Sequence, residues 1–287
     1  MTASAADHAA CAAILRRSGS SFALPIALLP QAKRQGTTAL YAFCRVVDDL
    51  VDDARDRDTA ATGLADFEAA TAAVLAGRPV DDPVLRAVAD TVRRYGIPER
   101  CLDEILAGVR MDLDHSRYET PAELELYCSR VASAVGVAAI HVWGFTDPAA
   151  VAVAHDCGVA FQLTNILRDV PEDLDRGRIY LPLGDFAACG CTAAELVEGR
   201  IGPAFTRLAA LQVQRAGERF RRAAALDRLL TTDGRLVFRA MFGVYRALFG
   251  TVRRAGARIF TARVRGGKPR LVAAAAATLA CGPRIWR

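Results

Sequence analysis

The chain has 287 residues, 52% of them hydrophobic and 24% charged. That composition excludes a disordered or low-complexity chain, and the length supports a sizeable core in one large domain or two small ones. The net charge of +5 is uneven: residues 234–287 carry twelve Lys and Arg and no acid, leaving the first 233 residues at −7.

The predicted elements are helical along nearly the whole chain. No apolar run opens it, which argues against a secretory leader. Ser18-Gly-Ser-Ser-Phe22 reads as a Gly/Ser loop with an apolar anchor. Leu40, Phe43, Cys44, Val47 and Val51 then recur at helical spacing, as do Leu102, Ile105, Leu106, Val109 and Leu113. Gly77-Arg-Pro79 and Gly96-Ile-Pro98 punctuate the chain. Thr120-Pro-Ala-Glu123 has the form of an N-cap with Pro at the first helical position. It opens a helix carrying Leu124, Tyr127, Val131, Val135 and Ala138. Asp147-Pro148, Gly177, Pro182 and Gly202-Pro203 mark later breaks, and Leu208, Leu211 and Val213 a weaker helix before Gly266-Gly267. No β-branched alternation or hairpin dipeptide is found. The expectation is one all-α domain over residues 1–287, with eight to ten helices. Leu271–Cys281 is too short to span a bilayer. Eight cysteines without a C-x-x-C pair point to a reducing, cytoplasmic setting, and Cys189 and Cys191 are only a weak metal signal. The histidines at 8, 115, 141 and 155 fall outside every motif and read as structural or solvated.

Two helices carry acid in an unexpected setting. In Tyr41–Asp53, Tyr41, Arg45, Asp48 and Asp52 form one stripe on an otherwise apolar helix. In Phe161–Asp173, Gln162, Asn165, Asp169 and Asp173 do the same among Leu163, Ile166, Leu167 and Val170. A single D-x-x-x-D is usually a solvated face. Two of them, each inside an apolar helix, are hard to explain as surface, because carboxylates near a core need compensation. If the stripes converge, cations are required, and an oxygen-only donor set suits Mg²⁺ completed by phosphate and water. Pro171 lies between Asp169 and Asp173. Proline inside a helix removes a backbone bond and disfavours helix at the preceding residue, so a kink or an end is expected there.

These two stripes, followed by Gly177-Arg-Ile-Tyr-Leu-Pro182, resemble the squalene/phytoene synthases, from about Ser18 to beyond Tyr245. The resemblance implies an all-α bundle around a central apolar cavity, with the acidic motifs facing one another near its mouth. It implies two or three Mg²⁺ ions held by Asp48, Asp52, Asp169 and Asp173, with no NADPH. Arg45, Arg168 and Arg178 would take phosphate oxygens, where a guanidinium fork fits. Ser18, Ser20, Ser21, Gln162, Asn165 and, less specifically, Tyr245 would line the diphosphate site. Phe22, Tyr41 and Tyr127 would face an allylic cation; Tyr127 could equally be core.

Within the family, the Ser-Gly-Ser-Ser-Phe opening and Gly-Arg-Ile-Tyr-Leu-Pro look most like bacterial enzymes of hopanoid pathways. Those join two farnesyl diphosphates to presqualene diphosphate. Condensation of two geranylgeranyl diphosphates to phytoene is the first alternative, and dehydrosqualene or squalene formation another. A non-enzymatic, assembly-factor-like relative is the reading from a different class. The basic C-terminal region predicts peripheral contact with anionic membrane through Arg253, Arg254, Arg258, Arg263, Arg265, Lys268 and Arg270. The competing expectation is that several of these arginines pair with the acidic first 233 residues, or bind diphosphate within the site. No nucleic-acid motif is present.

Overall fold

The computed structural model describes residues 2–114 and 117–286; His115 lies outside them. Among the described residues there are fifteen α-helical segments and no strand, so the fold is all-α. The count exceeds the expected eight to ten. The additions are short pieces such as Ala23–Ile26, Ala193–Val197 and Leu226–Leu229, which hold too few residues to show a 3.6-residue period. All eight cysteines are free thiols.

The chain forms two compact units, each discontinuous in sequence. The first comprises residues 1–114, 134–151 and 228–238. Its centre is the helix Gln31–Asp52, packed against Ala5–Arg17, Arg57–Leu75, Pro83–Tyr95, Arg100–Asp114 and Ala134–Trp143. Leu40, Phe43 and Val47, foreseen as its apolar face, are buried, and Leu64, Leu85, Leu102 and Ile140 pack the same core. Close packing at its start requires Gly36, where a Cβ would press within 3.1 Å of Thr91 and Tyr95. Asp56 and Asp82 cap the next helices, and Pro83 sits at the first turn. Lys33 donates to the Trp143 carbonyl and to Asp233, tying the 228–238 segment in place.

The second unit comprises residues 115–133, 152–227 and 239–287. Its main helix lies within Ala150–Asp175. Thr120 caps Pro121–Cys128 as expected, its hydroxyl accepting from the Glu123 N–H. A π-turn follows at Ser129–Ser133. Gly158 packs against this turn: a Cβ on it would lie 2.4 Å from the Ser133 Cα. Backbones meet there, and Ser133 Oγ donates to the His155 carbonyl at 2.8 Å. Arg219 joins Glu125 to Asp156, and Phe186, Phe205, Phe220 and Phe242 fill the core. The helix Lys268–Cys281 approaches Gly243 just as closely, with the Ala274 carbonyl 2.6 Å from where a Cβ would be.

The helix does not end at Pro171: it runs through it to Asp175. The ring removes one amide donor from this turn. The adjacent Arg168 carbonyl accepts the Val264 N–H at 3.1 Å, so the loosened turn is held from outside.

Pro121–Trp143 and Ala150–Asp175 have the length and hydropathy of membrane spans, yet 56% of each apolar window is buried inside the protein. That is the mark of core helices.

The Gly158–Ser133 crossing leaves no room for one methyl group. Gly158→Ala is therefore expected to lower stability by about 1–3 kcal/mol through overpacking, read as a fall in the thermal midpoint. An unchanged midpoint would show that the two backbones can part without cost.

Candidate active site

In the first unit the N-terminal Ser/Phe segment folds onto the helix that bears the first acidic stripe. Tyr41 donates its hydroxyl hydrogen to Ser18 Oγ at 2.8 Å, and Ser18 donates in turn to the Leu15 carbonyl. Ser20 Oγ accepts the Phe22 N–H, and the Phe22 and Tyr41 rings meet edge to face at 6.3 Å. Ser18, Ser20, Phe22 and Tyr41 thus form one cluster, while Ser21 is exposed at its edge.

Arg45, Asp48 and Asp52 are reached by water, so this stripe is the wet side of a helix whose other faces are buried. Arg45 is held by Asp49 one turn on, with Nε 3.1 Å from Oδ2. Burial lowers the basicity of this guanidinium, but Asp49 more than offsets that. Asp48 is the electrostatically unusual group. Enclosure by the surrounding protein and then the carboxylates of Asp52 and Asp112 push it up to about 7. Because water still touches Asp48, crowding by like charge is the firmer part of that account. Asp112 was not foreseen. It stands on the helix Arg100–Asp114, and only the tertiary packing brings it near Asp48.

In the second unit Gln162, Asn165, Asp169 and Asp173 share a half-buried face of the helix Ala150–Asp175. Asn165 Nδ2 donates to Gln162 Oε1, and Asn165 is hydrogen-bonded to Tyr245. Tyr245 is buried, stacks at 3.9 Å on Phe161 and lies beside Arg168. Its hydroxyl is pushed above the ordinary tyrosine range by burial, with Arg168 and Asn165 opposing. Asp169 is clamped by two guanidiniums. Arg168 bonds it through Nε at 2.8 Å and through Nη2, and Arg263 Nε stands 3.0 Å away, also reaching Glu172. Arg263, one of the arginines expected to face lipid, therefore pairs with the acidic helix while its side chain stays exposed. For that residue the competing expectation holds.

Asp173 and Arg178 line a small recess with Ile166, Val170 and Tyr180. The Gly177–Pro182 segment is fixed by residues the motif reading passed over. Arg117 Nη1 donates to the Gly177 carbonyl, and the Leu183 N–H bonds the Tyr118 carbonyl. Tyr127 is buried, stacked on Tyr180 at 4.9 Å and tilted against Tyr118 at 5.5 Å.

The donor chemistry fits a hard cation. Among the described residues no three His, Cys, Asp or Glu side chains cluster as a ready-made metal cage. Mg²⁺ does not demand one, since it is usually held by one or two carboxylates with water and phosphate. Asn165 Oδ1 and Glu172 Oε2 are buried acceptors without a donor in the protein, an arrangement that calls for a cation or its bound water.

A squalene/phytoene synthase family model matches residues 15–270. The chain is 39% identical over 223 residues to a phytoene synthase of Arthrospira platensis, covering 72% of this chain and 71% of that one. It is 35% identical over 223 residues to a presqualene diphosphate synthase of Rhodopseudomonas palustris, covering 77% and 78%. A dehydrosqualene synthase crystal structure with bound ligand superposes with a TM-score of 0.86 at 31% identity, over 96% of this chain and 95% of that one.

The Tyr41–Ser18 bond holds the N-terminal segment to the stripe. A double-mutant cycle of Tyr41→Phe and Ser18→Ala, followed by denaturant unfolding, is expected to give a coupling of about 1 kcal/mol. Strictly additive effects would show that the segment is held by its apolar contacts alone.

Proposed function

The chain belongs to the squalene/phytoene synthase family, and we propose that it joins two molecules of farnesyl diphosphate head to head, releasing diphosphate and forming presqualene diphosphate. The observation that carries the reading is the second stripe, where Asp169 is paired with the guanidiniums of Arg168 and Arg263 beside buried acceptors that lack donors, Asn165 Oδ1 and Glu172 Oε2. Such surfaces are poised for an anion carried in with cations.

In this reading the C1–O bond of one allylic diphosphate breaks and diphosphate leaves. The C2–C3 double bond of the second substrate then attacks, and loss of a proton closes the cyclopropane. Arg45, Arg168 and Arg178 bind the phosphate oxygens. Asp48, Asp52, Asp169 and Asp173, with Asn165, hold the Mg²⁺. The bound ions would supply neutralisation of the leaving charge. Binding requires Arg168 and Arg263 to yield Asp169 and turn to phosphate, an exchange that keeps every charge compensated. Phe22 and Tyr41 offer ring faces to the cation, and Tyr127 completes an aromatic wall with Tyr180. Apolar side chains keep water from the cation. A cytoplasmic setting and a single functional domain are parts of the same proposal.

The farnesyl reading is supported by the sequence motifs, the presqualene diphosphate synthase relative and the dehydrosqualene synthase likeness. The 39% identity to a phytoene synthase favours the geranylgeranyl alternative. Incubation with each diphosphate and Mg²⁺, followed by mass analysis, separates them. A C30 cyclopropyl diphosphate supports the first reading, and C40 phytoene from geranylgeranyl diphosphate replaces it. No condensation of either substrate would overturn both.

Asp48→Asn and Asp169→Asn are each expected to lower turnover by about a hundredfold or more, with helical circular dichroism unchanged. EDTA should stop the parent enzyme. Near-parental turnover of either variant at saturating Mg²⁺ would remove the carboxylates from the mechanism.

A further inference from the structure

The C-terminal part of the second unit presents a surface that the condensation chemistry does not use. The helix Lys268–Cys281 buries Ala274, Ala275 and Thr278 against the helix that carries Gly243. Its opposite face is made of Val272, Ala273, Ala276, Ala277, Ala280 and Cys281, all exposed. A surface helix normally turns its charged residues to water. This one has none to turn: from Leu271 to Pro283 there is no charged residue at all. The turn that follows, Pro283–Trp286, adds the exposed side chain of Ile285. That turn is fixed, since Trp286 Nε1 donates to Thr278 Oγ1 at 2.8 Å and Arg246 Nη2 donates to the Trp286 carbonyl at 2.7 Å.

Basic side chains surround this apolar face. Lys268, Arg270 and Arg284 flank it in sequence and are exposed. Arg253 and Arg254 are exposed at the end of the neighbouring helix. Burial and then Arg270 and Arg253 lower the basicity of Arg254. Likewise Arg246 is pulled down to about 10 by burial, Arg253 and Arg221. Residues 234–287 contain no carboxylate to relieve the crowding.

We infer that this surface docks the protein on an anionic lipid bilayer. The Val272–Cys281 face and Ile285 enter the headgroup boundary, while Arg253, Arg254, Lys268, Arg270 and Arg284 meet lipid phosphate. The charge complementarity argues for lipid rather than a second copy, which would bring an equal positive patch against this one. The alanines bury little area each, so electrostatics supplies most of the attraction. Arg263 is excluded from the patch by its bond to Asp169. The inference is independent of which prenyl chain is condensed.

The test is sedimentation of the full chain with phosphatidylcholine vesicles, with and without phosphatidylglycerol. Binding is expected only with the anionic lipid and should fade as salt shortens the Debye length. Arg254→Gln with Arg270→Gln should weaken partitioning roughly 25-fold, about fivefold per charge. Val272→Asp with Ala276→Asp, on the exposed face, should weaken it several-fold with unchanged circular dichroism. Turnover of detergent-dispersed substrate should stay parental in both. Absence of binding, equal binding to neutral vesicles, or indifference to both variants would overturn the inference. So would preferential binding of nucleic acid at equal salt, or a dimer that Val272→Asp dissociates.

Discussion

A half-buried carboxylate must have a cation, and the way Asp169 meets that requirement organises much of the second unit. Arg168 clamps it from its own helix, and Arg263 reaches it from a segment 94 residues further along the chain. The same segment gives the Val264 N–H to the Arg168 carbonyl. One short stretch of chain therefore compensates the charge and braces the turn that Pro171 weakens. Guanidiniums that neutralise a carboxylate are also the groups that would hold phosphate. A diphosphate arriving with divalent cations can take over both halves of the pair. In the proposed function, Asp169 would then hold cations and the arginines would hold phosphate oxygens, so that neither charge would be left bare so close to a core.

The first unit meets the same requirement differently. Arg45 is engaged by Asp49, and Asp48 is left among Asp52 and Asp112 with a raised affinity for protons. Like charges this close favour the protonated form of Asp48, and a cation bound beside it would favour the ionised form. Asn165 Oδ1 and Glu172 Oε2 carry the corresponding signal in the second unit.

What could be read in advance follows from the range of the interactions. The helix Gln31–Asp52 and its stripe are local facts of spacing, as is the Thr120 cap, so both were legible in the sequence. Ser18 and Phe22 were legible as a motif, and the structure adds the bond to Tyr41 that explains their placement. That the helix does not end at Pro171 has a clear origin: proline's effect on its own helix is local, while the bracing amide of Val264 is remote. Asp112, Arg117 and Tyr118 were missed for the same reason, since each acts through a partner brought near by folding. Helices of four or five residues, such as Leu226–Leu229, are stabilised by packing and leave no periodic trace.

The basic tail shows how one composition can serve two ends. Twelve positive charges without an acid leave two outcomes in water: pairing with acids elsewhere, or exposure. Arg239 and Arg263 take the first route, bonding Asp227 and Asp169. Arg253, Arg254, Arg258, Arg265, Lys268 and Arg270 take the second. Backbone packing decides which residue goes which way. Gly243 lets the helix Lys268–Cys281 lie close enough that Thr278 and Ala274 are buried, and that rotation turns Val272, Ala276 and Ala280 outward. A side chain at position 243 would lift or turn the helix and change which face meets the surroundings. The absence of a single side chain at Gly243 thus sets the orientation of the surface that the flanking charges surround.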